Sequence, residues 1–195
     1  MDLLENIFLS KARAGILKKL FLERDKEYYL RELERETGVT YKALHTDIHR
    51  MQELDLISMR VDGNRNYFKA NTKHPLFEDF HSIANKVYGP VPKLEELFQK
   101  QKGIEYAFIF GSYAKGETYA GSDLDLFIIG DISVRKLSNL LWEAQKEITY
   151  EINDHIYTKK DFKAKRNKDH FLKSLKDTEK IFLKGNEDEF KEILS

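Results

Sequence analysis

The sequence predicts an α+β protein of two domains, and three patterns predict it. Residues 1–72 read as short helices followed by a two-stranded hairpin. Residues 104–130 read as a strand, a glycine-bearing loop and a second strand. From residue 133 onward helices alternate with short strands, the pattern of helices covering a mixed sheet. A helical connector, 73–102, separates a first domain, 1–72, from a second, 103–195.

In chain order, residues 1–9 read as a frayed end or a segment packed on a partner. Ser10 is placed to cap a helix that carries Ile16, Leu17, Leu20 and Phe21 on one apolar face. Tyr28-Tyr29-Leu30 reads as a short extended link. Arg31–Thr37 reads as a second helix, with Leu33 inward and Gly38 as its stop. Thr40 opens a third helix whose Leu44, Ile48 and Met51 share an arc facing the core. Lys42, Thr46, His49 and Glu53 point the opposite way, with His45 and Arg50 flanking. Leu56–Val61 and Asn66–Ala70 read as the strands of a hairpin, turning at Asp62-Gly63-Asn64-Arg65.

Helix, helix, glycine turn, helix and hairpin, over roughly residues 8–72, resemble a winged helix-turn-helix DNA-binding domain. The resemblance implies that the third helix presents Tyr41, Lys42, His45, Thr46 and His49 to base edges in a major groove. It implies that Arg60, Arg65 and Lys69 on the wing meet backbone phosphates. Residues 1–72 hold thirteen Lys/Arg against twelve Asp/Glu, so charge alone does not select DNA over a role in protein contact. His45 and His49 stand four apart, a spacing that also suits zinc. The metalloprotease pattern needs Glu directly after the first histidine, and Thr46 stands there. The pair is read as groove-facing or exposed.

The connector reads as two helices, His74–Tyr88 and Lys93–Gln101, broken by Gly89-Pro90-Val91-Pro92. Its aromatics suggest packing against both domains or a second chain, and a homodimer is a natural state for a two-fold operator.

The stretch IEYAFIFGSYAKGETYAGSDLDLFIIG, residues 104–130, organises the second domain. Gly111-Ser112 ends an apolar strand, where glycine lets backbone amides approach a phosphate and serine adds a donor. Asp123 and Asp125 open the next strand two residues apart, hence on one face. Two carboxylates there suit a hard divalent ion such as Mg²⁺. Gly-Ser, a short Gly-containing loop (Ala114-Lys115-Gly116-Glu117) and Ser122-Asp123-Leu124-Asp125 together resemble a minimal nucleotidyltransferase of the polymerase-beta type. The resemblance implies a nucleotidyltransferase-like mixed sheet with covering helices. It implies that Asp123 and Asp125 hold Mg²⁺ and are catalytic, and that Gly111, Ser112, Lys115 and Ser122 bind the nucleotide, with ATP as substrate.

The family places a third carboxylate on the adjacent strand, expected within Ile148–Tyr157. Here Asn153 stands at that position; Glu151 shares its face and Asp154 the other. Three readings stay open: an enzyme modifying an unknown acceptor, a nucleotide-responsive transcriptional regulator, and an antitoxin-like protein that modifies a partner.

The remaining chain reads as a helix, Ser133–Gln145, with Leu137, Leu140, Leu141 and Trp142 packed. A basic helix, Phe162–Lys176, follows the strand, then a short strand, Lys180–Leu183, and a last helix, Glu187–Leu194. Lys159–Lys176 carries eight Lys/Arg against two Asp/Glu, and Gly103–Thr158 four against nine. The basic part reads as a solvated face or a neutraliser of phosphates. No cysteine is present, which excludes disulfides, thiolate zinc sites and cysteine catalysis. No signal-like run or 18-residue apolar stretch occurs, so the chain is expected to be soluble and cytoplasmic, with no membrane partner.

Overall fold

The computed structural model describes residues 2–117, 123–146, 148 and 150–194. It is a mixed α+β structure, and the chain divides into two compact units, Met1–Gly89 and Pro90–Ser195.

The first unit opens with α1, Leu3–Phe8. Residues 1–9 were expected either to fray or to pack on a partner; instead Leu4 is fully buried within the first unit's own core. The reason is a capping box: the Asp2 carboxylate accepts from the Glu5 amide, and Glu5 accepts from the Asp2 amide. Then comes α2, Lys11–Ile16, capped by Ser10 as expected, and a π-helical stretch, Leu17–Phe21. Ile16, Leu17, Leu20 and Phe21 are all buried.

β1, Tyr28–Tyr29, leads into α3, Leu30–Thr37. Gly38 ends that helix in the left-handed region, at φ +67°. α4 follows, Tyr41–Glu53, with Leu44 and Ile48 buried. Thr40 makes no side-chain cap; Glu34 of α3 accepts from the Tyr41 amide at 2.8 Å instead, tying the start of α4 to α3. β2, Ile57–Asp62, and β3, Arg65–Ala70, pair from Asp62↔Arg65 to Ile57↔Ala70. With β1 they form a three-stranded antiparallel sheet in the order β1-β3-β2.

α5, Phe77–Tyr88, belongs to this unit. Phe77 stacks near Phe21, at 6.0 Å between ring centres, and buried His81 donates from Nδ1 to the Phe21 carbonyl at 2.7 Å. One buried acid was not anticipated: Asp47 on α4 accepts from Ser10 Oγ at 2.9 Å and from Arg13 Nε at 3.1 Å. A buried carboxylate needs such partners.

The second unit begins with α6, Pro90–Gln99. The break expected over 89–92 is confined to Gly89, after α5 ends at Tyr88, and the prolines start α6, because the first turn of a helix has no use for their missing amides. β4, Ile104–Phe110, and β5, Leu124–Gly130, pair antiparallel, and α7 is Val134–Gln145. β6, Ile152–Tyr157, runs parallel to β5. α8, Lys159–Lys165, and α9, His170–Ser174, replace the single basic helix expected over 162–176. Asp169 causes the break by accepting from the Phe171 amide at 2.8 Å and so capping α9. β7, Ile181–Lys184, pairs antiparallel with β4, and α10, Glu187–Leu194, closes the unit.

The four-stranded sheet runs β6-β5-β4-β7. Ala107, Ile109, Leu126 and Ile128 face one layer with Leu94 and Phe98 of α6 and Leu137 and Leu141 of α7. Phe108, Phe127 and Ile129 face the other, with Phe162, Leu172 and Phe190. Burial on both faces explains the unbroken apolar runs at 106–110 and 126–129. Trp142, expected to pack, is 67% exposed. Leu137 and Leu141, one turn apart, already fill the buried face of α7, and Trp142 lies about 100° further round.

Candidate active site

The rim of the second sheet gathers the acidic and glycine-bearing residues singled out in the sequence. β4 ends at Phe110, which pairs with Asp125 at the start of β5. Asp125 precedes Phe127 and Ile129 at two-residue spacing, so it shares their face and stands at its edge, half-buried. Asp123 lies just before the strand and is exposed.

Gly111 follows Phe110 with φ +75°, a conformation that L side chains rarely adopt. A Cβ added there would collide with Oδ2 of Asp125. Two independent constraints therefore demand glycine, and the second sets the backbone against a carboxylate. The following residues close a tight loop. The amides of Lys115, Gly116 and Glu117 donate to the carbonyls of Gly111, Tyr113 and Ser112, at 3.3, 3.1 and 2.9 Å. Ser112 is half-buried and Lys115 exposed on that loop; Ser122 lies outside the described residues. Tyr113, not singled out in the sequence, is buried and meets Tyr150 edge-on at 5.3 Å. Its position directly after Gly-Ser was the only signal of this anchoring role.

The parallel register places Asn153 of β6 directly beside Asp125. Asn153 Nδ2 donates to Asp125 Oδ1 at 3.0 Å. Asp154 pairs with Leu126 and belongs to the opposite face. The Leu124 amide donates to the Glu151 carbonyl at 2.7 Å, which continues the same register and sets Glu151 level with Asp123. Among the described residues no three His, Cys, Asp or Glu side chains converge as a metal cage. The donor set nonetheless fits a Mg²⁺ ion that arrives with phosphate, because that ion takes one or two carboxylates and draws its other ligands from phosphate and water.

In the first unit, the outward side of α4 carries the other predicted residues. Tyr41, Lys42, His45 and Thr46 are exposed and His49 is half-buried. The Arg31 guanidinium lies over the Tyr41 ring at 4.7 Å, and Thr46 Oγ1 donates to the Lys42 carbonyl at 3.0 Å. Arg31, followed by the bond from the Tyr41 amide, holds the Glu34 carboxyl below the usual carboxylate range. On the β2–β3 hairpin, Arg65 lies over Tyr29 at 5.2 Å. Arg60 and Lys69 are drawn to Glu27, whose carboxyl Arg60 lowers most. Two of the three hairpin cations thus already have an anionic neighbour.

Among known proteins, residues 92–188 match the family described as polymerase beta, nucleotidyltransferase. No curated protein matches the chain. Similar solved structures include a toxin–antitoxin with AMP-PNP, at 13% identity over 53% of this chain and 80% of that one, TM-score 0.39. A mutant of the toxin–antitoxin MntA-HpeT is similar at 14% identity over 53% and 79%, TM-score 0.40. A protein from Sulfolobus solfataricus is similar at 16% identity over 47% and 73%, TM-score 0.29. Sheet, glycine loop, paired aspartates and family match agree: residues 92–188 are a polymerase-beta-type nucleotidyltransferase domain.

Proposed function

We propose that the second unit transfers a nucleoside monophosphate from ATP to an acceptor hydroxyl, and that the first unit is a winged helix-turn-helix that brings this activity to DNA. In the transfer, the acceptor oxygen attacks the α-phosphorus. The bond to the β-phosphate bridge breaks, pyrophosphate leaves, and the acceptor proton passes to a base. The observation that carries this reading is Gly111, pressed against Asp125 at the strand end of a domain whose family performs such transfers.

Asp123 and Asp125 are the residues that would hold Mg²⁺, which when bound neutralises the phosphate oxygens and stabilises the attacking and leaving oxygens. Gly111 gives the phosphates close access to the backbone. Ser112 and Lys115 supply a hydroxyl and a charge, with Ser122 in the same role. Asn153 is neutral and takes no proton, so proton acceptance falls to Asp125 or to Glu151. On α4, Tyr41, Lys42, His45, Thr46 and His49 face the major groove, and Arg65 reaches phosphate. Lys42→Ala with His49→Ala is expected to weaken duplex binding and to leave the melting temperature nearly unchanged.

A second reading has its own observation. The Asn153–Asp125 hydrogen bond occupies the carboxylate that the chemistry needs and adds no negative charge beside it. A site of this kind binds nucleotide and turns over slowly, which suits a nucleotide-responsive regulator. An antitoxin-like role, with a protein as acceptor, is the same chemistry directed at a partner. Labelled ATP and Mg²⁺ incubated with a cell lysate separate the readings. Label transferred to a protein or nucleic acid, and lost on Asp123→Ala/Asp125→Ala, supports the enzyme. Nucleotide binding without transfer supports the regulator, and neither binding nor transfer removes both.

A further inference from the structure

The rings on the outward side of α4 form a row. Tyr41, His45 and His49 follow at four-residue spacing, with ring centres 5.8 Å and then 4.3 Å apart. His49 in turn meets Phe68 of β3 edge-on at 6.3 Å. Each imidazole has a ring on either side, which restricts its rotamers. The two Nε2 atoms face each other at 3.2 Å. In the free protein one ring donates its Nε2–H to the lone pair of the other, and a metal ion that displaces this proton meets both nitrogens already side by side.

We propose that His45 and His49 form a two-imidazole site for a divalent transition ion, Zn²⁺ foremost. Geometry supports it. With zinc–nitrogen bonds of about 2.0–2.1 Å, a 3.2 Å separation closes an N–Zn–N angle of about 100°, near tetrahedral. The donor chemistry supports it too: imidazole suits Zn²⁺, Ni²⁺ and Cu²⁺, whereas Mg²⁺ prefers oxygen. Among the described residues no third His, Cys, Asp or Glu joins the pair. Water or a donor from another molecule completes the coordination, so the ion is exchangeable. An ion here adds two positive charges beside Lys42 and Thr46 and covers the helix face that the DNA reading requires. The site itself depends neither on that reading nor on the nucleotidyltransferase chemistry.

The test is calorimetric titration of the full, tag-free chain with Zn²⁺ in excess Mg²⁺. The chain is compared with His45→Ala, His49→Ala and the Asp123→Ala/Asp125→Ala double variant. One Zn²⁺ per chain is expected, with affinity reduced about tenfold or more by either histidine change and unchanged in the aspartate variant. Equal binding in the histidine variants, which would mean an adventitious ion only, overturns the proposal. Loss of binding in the aspartate variant overturns it as well. Co²⁺ added to the unmodified chain gives a second readout that needs no variant. A visible spectrum shifted from that of the aquo ion by imidazole ligation is expected, and a spectrum identical to the aquo ion contradicts the site.

Discussion

Asn153 and Asp125 sit side by side on parallel strands, and the amide of the first donates to the carboxylate of the second at 3.0 Å. A neutral donor therefore stands where a third carboxylate would complete the proposed metal site. Replacing it tests that statement directly. Asn153→Asp puts two like charges in register, and like charges so placed repel. The variant is expected to melt lower than the parent without metal and to recover more of that loss on adding Mg²⁺ and nucleotide. Differential scanning fluorimetry with and without Mg²⁺ measures both. Equal melting in all four conditions would mean that the two side chains are not electrostatically coupled.

Gly111→Ala asks for φ +75° in a residue with a Cβ and drives that atom into Asp125. The conformational part alone costs about 1–3 kcal/mol, and moving Asp125 disturbs the site as well. Lower stability and loss of nucleotide affinity are expected together, read by chemical denaturation and by equilibrium binding. An alanine variant that binds nucleotide as the parent does would contradict the proposed approach of phosphate to the Gly111 backbone.

Tyr28 supplies a pH-dependent test in the first unit. Burial first, and then its hydrogen bond to Glu23 at 2.6 Å, raises the phenol far above the ordinary tyrosine range. The folded state therefore holds this proton more tightly than the unfolded chain. Its contribution is fully present below the unfolded pKa of about 10 and is lost as pH rises beyond it. Tyr28→Phe should lower stability at neutral pH by about 1 kcal/mol, the worth of one hydrogen bond. It should also flatten the alkaline fall in melting temperature. An unchanged alkaline slope would assign that fall to other groups.

Much of this was legible in the sequence, for identifiable reasons. Gly111-Ser112 and Asp123-x-Asp125 could be read because strand alternation fixes which side chains share a face. Gly38 and Ser10 could be read because their residue types fit one end of a helix. What escaped depended on contacts distant in sequence or on a competing local signal. Asp47 sits at a buried position that only Ser10 and Arg13 make tolerable. Asp2 and Glu5 carried a capping signature in a segment taken as an end. Pro90 and Pro92 start a helix in a stretch taken as a break.

Trp142 was expected inside and lies outside, so it gives a clean check on the second unit. It is the only tryptophan of the chain and 67% exposed. Its emission should be red-shifted and readily quenched by acrylamide, and Trp142→Ala should change stability by no more than about 0.5 kcal/mol. A blue-shifted, protected emission would place α7 in a different orientation.

The most direct measurement of the central claim is pyrophosphate release and label transfer from ATP, with Mg²⁺ and lysate acceptor, by the parent chain and by Asp123→Ala/Asp125→Ala. Mg²⁺-dependent transfer by the parent and none by the double variant are expected. Transfer that survives the double variant would contradict the claim, because the chemistry would then lie away from the paired aspartates.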